Sequence, residues 1–65
     1  MNITLNGAAF VTDCADLAAL VDARGLDSSS LVIEHNRQVI KQDDWANTPV
    51  REGDTIELLN FVGGG

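Results

Sequence analysis

The first six residues alternate, with Met1, Ile3 and Leu5 apolar and Asn2, Thr4 and Asn6 polar. That is the two-residue period of a half-buried β-strand. Asn6-Gly7 follows, a pair that tolerates positive φ and closes tight hairpins. It predicts a return strand over Ala8 to Thr12, with Phe10 facing the core. The period then lengthens. Leu17, Leu20, Val21 and Arg24 recur at helical spacing, with Ala18 and Ala19 between them. A helix over Ala15 to Arg24 is expected, with Asp13 as its N-cap and Asp16 in the first turn. Gly25 marks its stop, and Leu26 folds back onto the core.

Beyond the helix, Asp27-Ser28-Ser29-Ser30 reads as a polar connection. Leu31 to His35 forms a third strand, Asn36-Arg37 a turn, and Gln38 to Lys41 a short fourth strand. Asp43-Asp44-Trp45 predicts one helical turn carrying the largest apolar group in the chain. Arg51-Glu52-Gly53-Asp54 is a turn by composition. Thr55 to Phe61 is the last strand, with Ile56 and Leu58 on one face and Leu59 and Phe61 on the other. One amphipathic helix needs one sheet face to cover. The first and last strands are the best formed, and a helix bridging two hairpins lets them pair parallel in the middle. The pattern therefore predicts an α+β chain of the β-grasp type, a mixed four- to five-stranded sheet on one main helix. No repeat, linker or domain boundary divides residues 1–65, so one domain is expected.

Composition narrows the function. A domain of 65 residues buries only about 60% of the surface its unfolded chain exposes. That leaves little room for both a core and a deep polar pocket, which disfavours an enzyme. Ten acidic residues against four basic ones give a net charge of -6. Such a chain repels phosphate backbones and anionic lipid, so neither nucleic acid nor membrane is an expected partner. The acidity would instead steer it toward a basic protein surface. No apolar run approaches the ~20 residues that span a bilayer, and the N-terminus lacks a signal-peptide pattern. A cytoplasmic location is the expectation. Cys14 is the only cysteine, so no internal disulfide forms. One Cys and one His cannot supply the four ligands of a structural zinc.

Few residues offer chemistry. Cys14 at the helix start would gain thiolate character from the dipole, but no His or Lys lies near it in sequence. A small filler beside the cap is the plainer reading. His35 has no second ligand or nucleophile in view and reads as structural. Ser28 to Ser30 read as a solvated loop, and Asp43 and Asp44 as caps of the Trp45 turn. The tail remains. Phe61-Val62-Gly63-Gly64-Gly65 ends in three glycines directly after a strand. Without side chains, they make a flexible arm from Val62 to Gly65 that fits a narrow channel. Its one reactive group is the Gly65 carboxylate, which becomes acylating only when its oxygen is coupled to a leaving group such as AMP. Three glycines alone fit a disordered terminus equally well. Leu59 and Phe61 beside them, on the face opposite the helix, add a docking patch.

With these residues in place, the chain resembles the ThiS family, the ubiquitin-like sulfur carriers of thiamine biosynthesis. The resemblance rests on Met1 to Gly7, and on Ile33-Glu34-His35-Asn36 followed by Val39-Ile40. It rests further on Trp45 with Pro49 and the Arg51 to Asp54 turn, and on Ile56-Glu57 leading to Phe61-Val62-Gly63-Gly64-Gly65. His35 stands where the family usually has an aliphatic residue and Lys41 where proline is common; neither touches the tail. The resemblance implies a ubiquitin-like β-grasp and a carrier that is not itself an enzyme. An E1-like adenylyltransferase of the ThiF type would bind the sheet face and the tail, Leu59 and Phe61 to Gly64. It would couple Gly65 to AMP using its own Mg-ATP. Sulfur would replace AMP to give a thiocarboxylate, and a thiazole synthase of the ThiG type would consume it. No cofactor would be bound by the carrier itself. Other readings stay open: a carrier for molybdopterin or another sulfur-containing product, a ubiquitin-like interaction module or tag, and, last, an enzyme.

Overall fold

The computed structural model describes residues 1–60. The expected arm from Val62 to Gly65, and Phe61 before it, lie outside the described residues. Five strands, one α-helix and two 3-10 helices follow in the order β1 (Asn2–Leu5), β2 (Ala8–Val11), α1 (Leu17–Ala23), a 3-10 turn (Ser28–Ser30), β3 (Leu31–His35), β4 (Gln38–Ile40), a second 3-10 helix (Gln42–Asn47) and β5 (Thr55–Asn60). The sheet order is β2-β1-β5-β3-β4. β1 and β5 pair parallel at its centre, with Thr4 opposite Thr55 and Leu5 opposite Ile56. The remaining neighbours are antiparallel. Among the described residues, the mixed sheet of the β-grasp has five strands.

Both hairpins turn through residues of positive φ. Asn6 and Gly7 stand at φ 50° and 80°, which suits the right-handed twist of the flanking strands. Asn36 and Arg37 repeat the turn at 50° and 72° without a glycine. The strained conformation of Arg37 is held by Asn36, whose side chain accepts from the Thr55 amide at 2.9 Å and donates to Asp54 at 3.1 Å.

The helix starts later than its pattern suggests. Its N-cap is Asp16, not Asp13, and the Asp16 carboxylate accepts from the Ala19 amide at 2.8 Å. Asp16 is drawn into extended backbone, and Ala15 kept out of the helix, by tertiary pairing. The Val50 amide donates to Ala15 O at 3.0 Å, Leu17 N donates to Thr48 O at 3.1 Å, and Asp16 bridges to Pro49. Thr12 Oγ1 accepts from the Cys14 amide and makes a local turn just upstream. The helix end follows the expected signal. Gly25 at φ 65° donates to Asp22 O, and Leu26 donates to Val21 O, the paired bonds of a Schellman cap. Leu26 then packs against the core.

The core joins Leu17, Leu20 and Val21 of α1 to Ile3, Leu5, Leu31, Ile33, Ile56 and Leu58 of the sheet, with Trp45 and Val50 closing one side. Phe10 packs partly against it, and the Arg24 guanidinium lies 5.6 Å from its ring centre. The Trp45 segment is longer than one turn. Residues 42–47 wind so that the indole is buried at 4% exposure and Nε1–H donates to Ile40 O at 2.9 Å. Asp43 and Asp44 do not cap this helix. Lys41 occupies the cap position without a side-chain bond, and both acids sit in the first turn, where they suit the positive end of its dipole. Among the described residues, no helix is long and apolar enough to cross a membrane.

The displaced cap gives a direct contrast. Asp16→Ala should lower stability by about 1 kcal/mol, while Asp13→Ala should change it by less than about 0.5 kcal/mol. Urea unfolding followed by Trp45 fluorescence measures both, and equal losses would return the cap to Asp13.

Candidate functional site

The sheet has two unlike faces. Alternation along β3 sends Leu31, Ile33 and His35 toward α1, and Val32 and Glu34 away from it. In β5, Ile56 and Leu58 are buried while Glu57 and Leu59 point away. Across the ladders, Val32 faces Leu59, Glu34 faces Glu57, and Val39 of β4 faces Glu34. Among the described residues, no element covers this outer face. Leu59 is 47% exposed and Val39 67%. Leu59 thus lies where the sequence placed it, one residue before β5 ends at Asn60. Phe61, Val62, Gly63, Gly64 and Gly65, the other expected contact and modification residues, lie outside the described residues.

Sequence reasoning passed over Val32 and Val39, which extend the patch around Leu59. Their signal was the same alternation that buries Leu31 and Ile33. It also passed over Ser30. Far from being only a solvated loop, Ser30 Oγ–H donates to Asn60 Oδ1 at 2.9 Å. That bond ties the end of β5 to the start of β3. Asp27 holds the same corner by accepting from the Ser29 amide at 3.0 Å and its hydroxyl at 2.7 Å.

The base of β5 is fixed by Asp54, a buried acid. His35 Nε2 approaches Asp54 Oδ2 at 2.8 Å, the Arg51 amide donates to the same oxygen at 2.8 Å, and Asn36 Nδ2 donates to Oδ1 at 3.1 Å. Burial alone would push the Asp54 carboxyl up. The bonds from His35, Arg51 and Asn36 outweigh it and hold the carboxyl below its ordinary value. His35 is therefore structural: it locks the β3–β4 turn to the turn before β5.

Nothing in this arrangement resembles a catalytic centre. Among the described residues, no group of three or more His, Cys, Asp and Glu could hold a metal. Cys14 precedes the cap by two residues and is half-buried against the core, as a filler would be. An open groove of about 290 Å³ lies between α1 and the Trp45 helix, lined by Ala18, Val21, Asp22, Leu26 and Trp45. Ser28 and Gln42 line it as well, and they bond to each other, Gln42 Nε2 donating to Ser28 Oγ at 3.3 Å.

The ThiS family profile matches residues 3–65. The chain belongs to the ThiS family. It is similar over its full length to the crystal structure of the thiamine biosynthesis protein ThiS from Geobacter metallireducens, with 32% identity, a TM-score of 0.85 and all of that chain covered. The solution structure of a Geobacter metallireducens thiamine biosynthesis protein aligns at TM-score 0.80, covering 88% of that chain. Among sequence relatives, a thiazole synthase from Paramagnetospirillum magneticum is 34% identical over 47 residues. The match takes in 72% of this chain but spans only 14% of that protein's length. The uncharacterized protein ycf40 of Trieres chinensis is 31% identical over 56 residues, which covers 86% of this chain and 77% of that one. The ubiquitin-like β-grasp and the family expected from the sequence are thus both met in this ThiS chain.

The Asp54 lock has a pH signature. Its lowered carboxyl contributes stability in full above the ordinary value of 3.8 and loses it as pH falls through the lower folded value. Asp54→Asn should cost about 2 kcal/mol at neutral pH, and the gap to the parent chain should close as the medium is acidified below that range. Urea unfolding at several pH values tests this. A constant gap down to the acid limit would remove Asp54 from the account.

Proposed function

We propose that this chain carries sulfur for thiazole formation in thiamine biosynthesis, as a co-substrate and not as an enzyme. One observation carries the reading: the central strand β5 runs out at an uncovered apolar face and leads, within one residue, into Phe61-Val62-Gly63-Gly64-Gly65. A strand held on both sides makes a firm base for an arm without side chains at its end. Five residues reach at most about 17 Å. Whatever acts on the Gly65 carboxylate must then seat its own surface close to the end of β5, where Leu59 and Val32 offer apolar area.

The chemistry follows from that one group. An E1-like adenylyltransferase binds the sheet face and the tail. A Gly65 carboxylate oxygen attacks the α-phosphate of the enzyme's Mg-ATP, and pyrophosphate leaves. The terminal sulfur of a persulfide then attacks the acyl carbon and expels AMP. A thiol reductant cleaves the resulting S–S bond and leaves a thiocarboxylate on Gly65. Thiazole synthase draws its sulfur from there. Support for this last partner comes from the relative in Paramagnetospirillum magneticum, where a segment like this chain is part of a protein named thiazole synthase. The acidic surface, with net charge -6, suits a cytoplasmic protein that docks on basic partner surfaces.

Intact-mass analysis after incubation with the adenylyltransferase, ATP and a sulfur donor tests the reading. The expected product carries one sulfur in place of one oxygen, and a chain lacking Gly64 and Gly65 stays unmodified. An unchanged mass for the full chain, under conditions that load a known carrier, rejects sulfur carriage. Binding to the large subunit of molybdopterin synthase in place of thiazole synthase would redirect the pathway.

A further inference from the structure

Glu34 on β3 and Glu57 on β5 are direct partners across the antiparallel ladder. Both rise from the sheet face that α1 leaves uncovered, and both are half-buried. Opposed residues on such a ladder have Cβ atoms about 5 Å apart, and like charges there are destabilising. The chain does not relieve this repulsion itself. The one ion pair among the described residues is His35 with Asp54. Its four basic residues, Arg24, Arg37, Lys41 and Arg51, stand at the helix end and in connections. Apolar groups flank the carboxylates on two sides: Val32 and Leu59 form the ladder pair two residues along, and Val39 lies beside Glu34 on β4, while Thr55 stands on the far side of Glu57.

We infer that this carboxylate pair receives an arginine of the protein that docks on the sheet face, with Val32, Val39 and Leu59 packing around the guanidinium. The inference rests on the carrier reading and names the chemistry of its first partner, the adenylyltransferase. A planar guanidinium offers donors on two edges and bridges two carboxylates, whereas an ammonium acts as a compact point charge. Surrounding apolar contacts exclude water and strengthen the charged bonds. Two observations select this occupant. The first is charge: a second copy of this chain would bring four carboxylates together on a molecule already at net charge -6. The second is reach. Glu57 lies three residues before Asn60, about 10 Å along the strand. A protein body that works within about 17 Å of the end of β5 therefore has the pair within reach of its surface.

The test uses the full chain carrying Glu34→Gln, Glu57→Gln, both together, or Glu57→Lys, with Asp43→Asn as an exposed acidic control off this face. Three quantities are read: the Tm of the free chain, the Kd for the purified adenylyltransferase at low and high salt, and sulfur loading at saturating carrier. Each Gln variant should bind about tenfold more weakly and with a flatter salt dependence. Its Tm should rise by about 1–5 °C as the repulsion is removed. Glu57→Lys should raise Tm further yet weaken binding by about a hundredfold or more, because the new cation meets the partner's arginine. Loading at saturation should survive in the Gln variants, and Asp43→Asn should bind like the parent. Unchanged affinity and salt dependence in the double and Lys variants, with the parent chain still loading, overturns the arginine contact and leaves the carrier reading intact. Weaker binding together with a fall in Tm overturns it too, since the residues would then be acting through the fold. A parent chain that neither binds nor loads overturns both.

Discussion

The parallel pairing of β1 with β5 is the constraint on which the rest of the structure depends. Parallel neighbours cannot be joined by a tight turn. The chain between them must travel out and back, and it does so through β2, α1, β3 and β4. The register is short, Thr4 with Thr55 and Leu5 with Ile56, but it is reinforced at both ends. Thr4 N donates to Asp54 O and Asn6 N to Ile56 O, while Leu58 N donates to Asn6 Oδ1 at 2.8 Å. At the other end, Gly53 N donates to Asn2 O and Asn2 N to Glu52 at 3.0 Å. The first and last strands are thereby fixed beside each other in the middle of the sheet. The start of the final strand has a neighbour on each side, and its end, Leu59 and Asn60, pairs with β3.

A sheet of five strands with one helix has apolar cover for only one face. The core of this protein lies wholly on that side, and a domain this small has no second layer to add. The other face must meet water or a partner. Its composition is mixed: Val32, Val39 and Leu59 are apolar, Glu34 and Glu57 charged. Glu34 and Glu57 keep that face polar, while Val39 and Leu59 leave apolar area exposed on it. The same division explains why no catalytic centre is found among the described residues. Polar groups that converge, such as Asp54, His35 and Asn36, are spent on holding the turns around β5.

Local patterns made much of this readable. The alternation of β1, the Asn6-Gly7 turn, the helix stop at Gly25 and the two faces of β5 all follow from properties of single residues or their near neighbours. The helix start did not, because Asp13 and Asp16 are equally good caps by composition. The choice between them was made by residues 48–50, whose backbone pairs with Ala15, Asp16 and Leu17. The roles of Ser30 and Asp54 escaped for a similar reason: each bonds to groups far away in sequence. Asp43 and Asp44 looked like caps because acids often cap, yet the winding around Trp45 leaves them past the cap position.

The sequence by itself determined the order of the five strands and the one α-helix, the face the main strands would bury, the acidic balance and the glycine ending. These are matters of period, side-chain size and charge, and they need no knowledge of what lies opposite. Only the tertiary structure decided that Glu34 stands against Glu57, that Val32 and Val39 join Leu59, and that Ser30 fastens the end of β5. Those are facts of register, and register is set by how strands distant in sequence slide into place under a shared core.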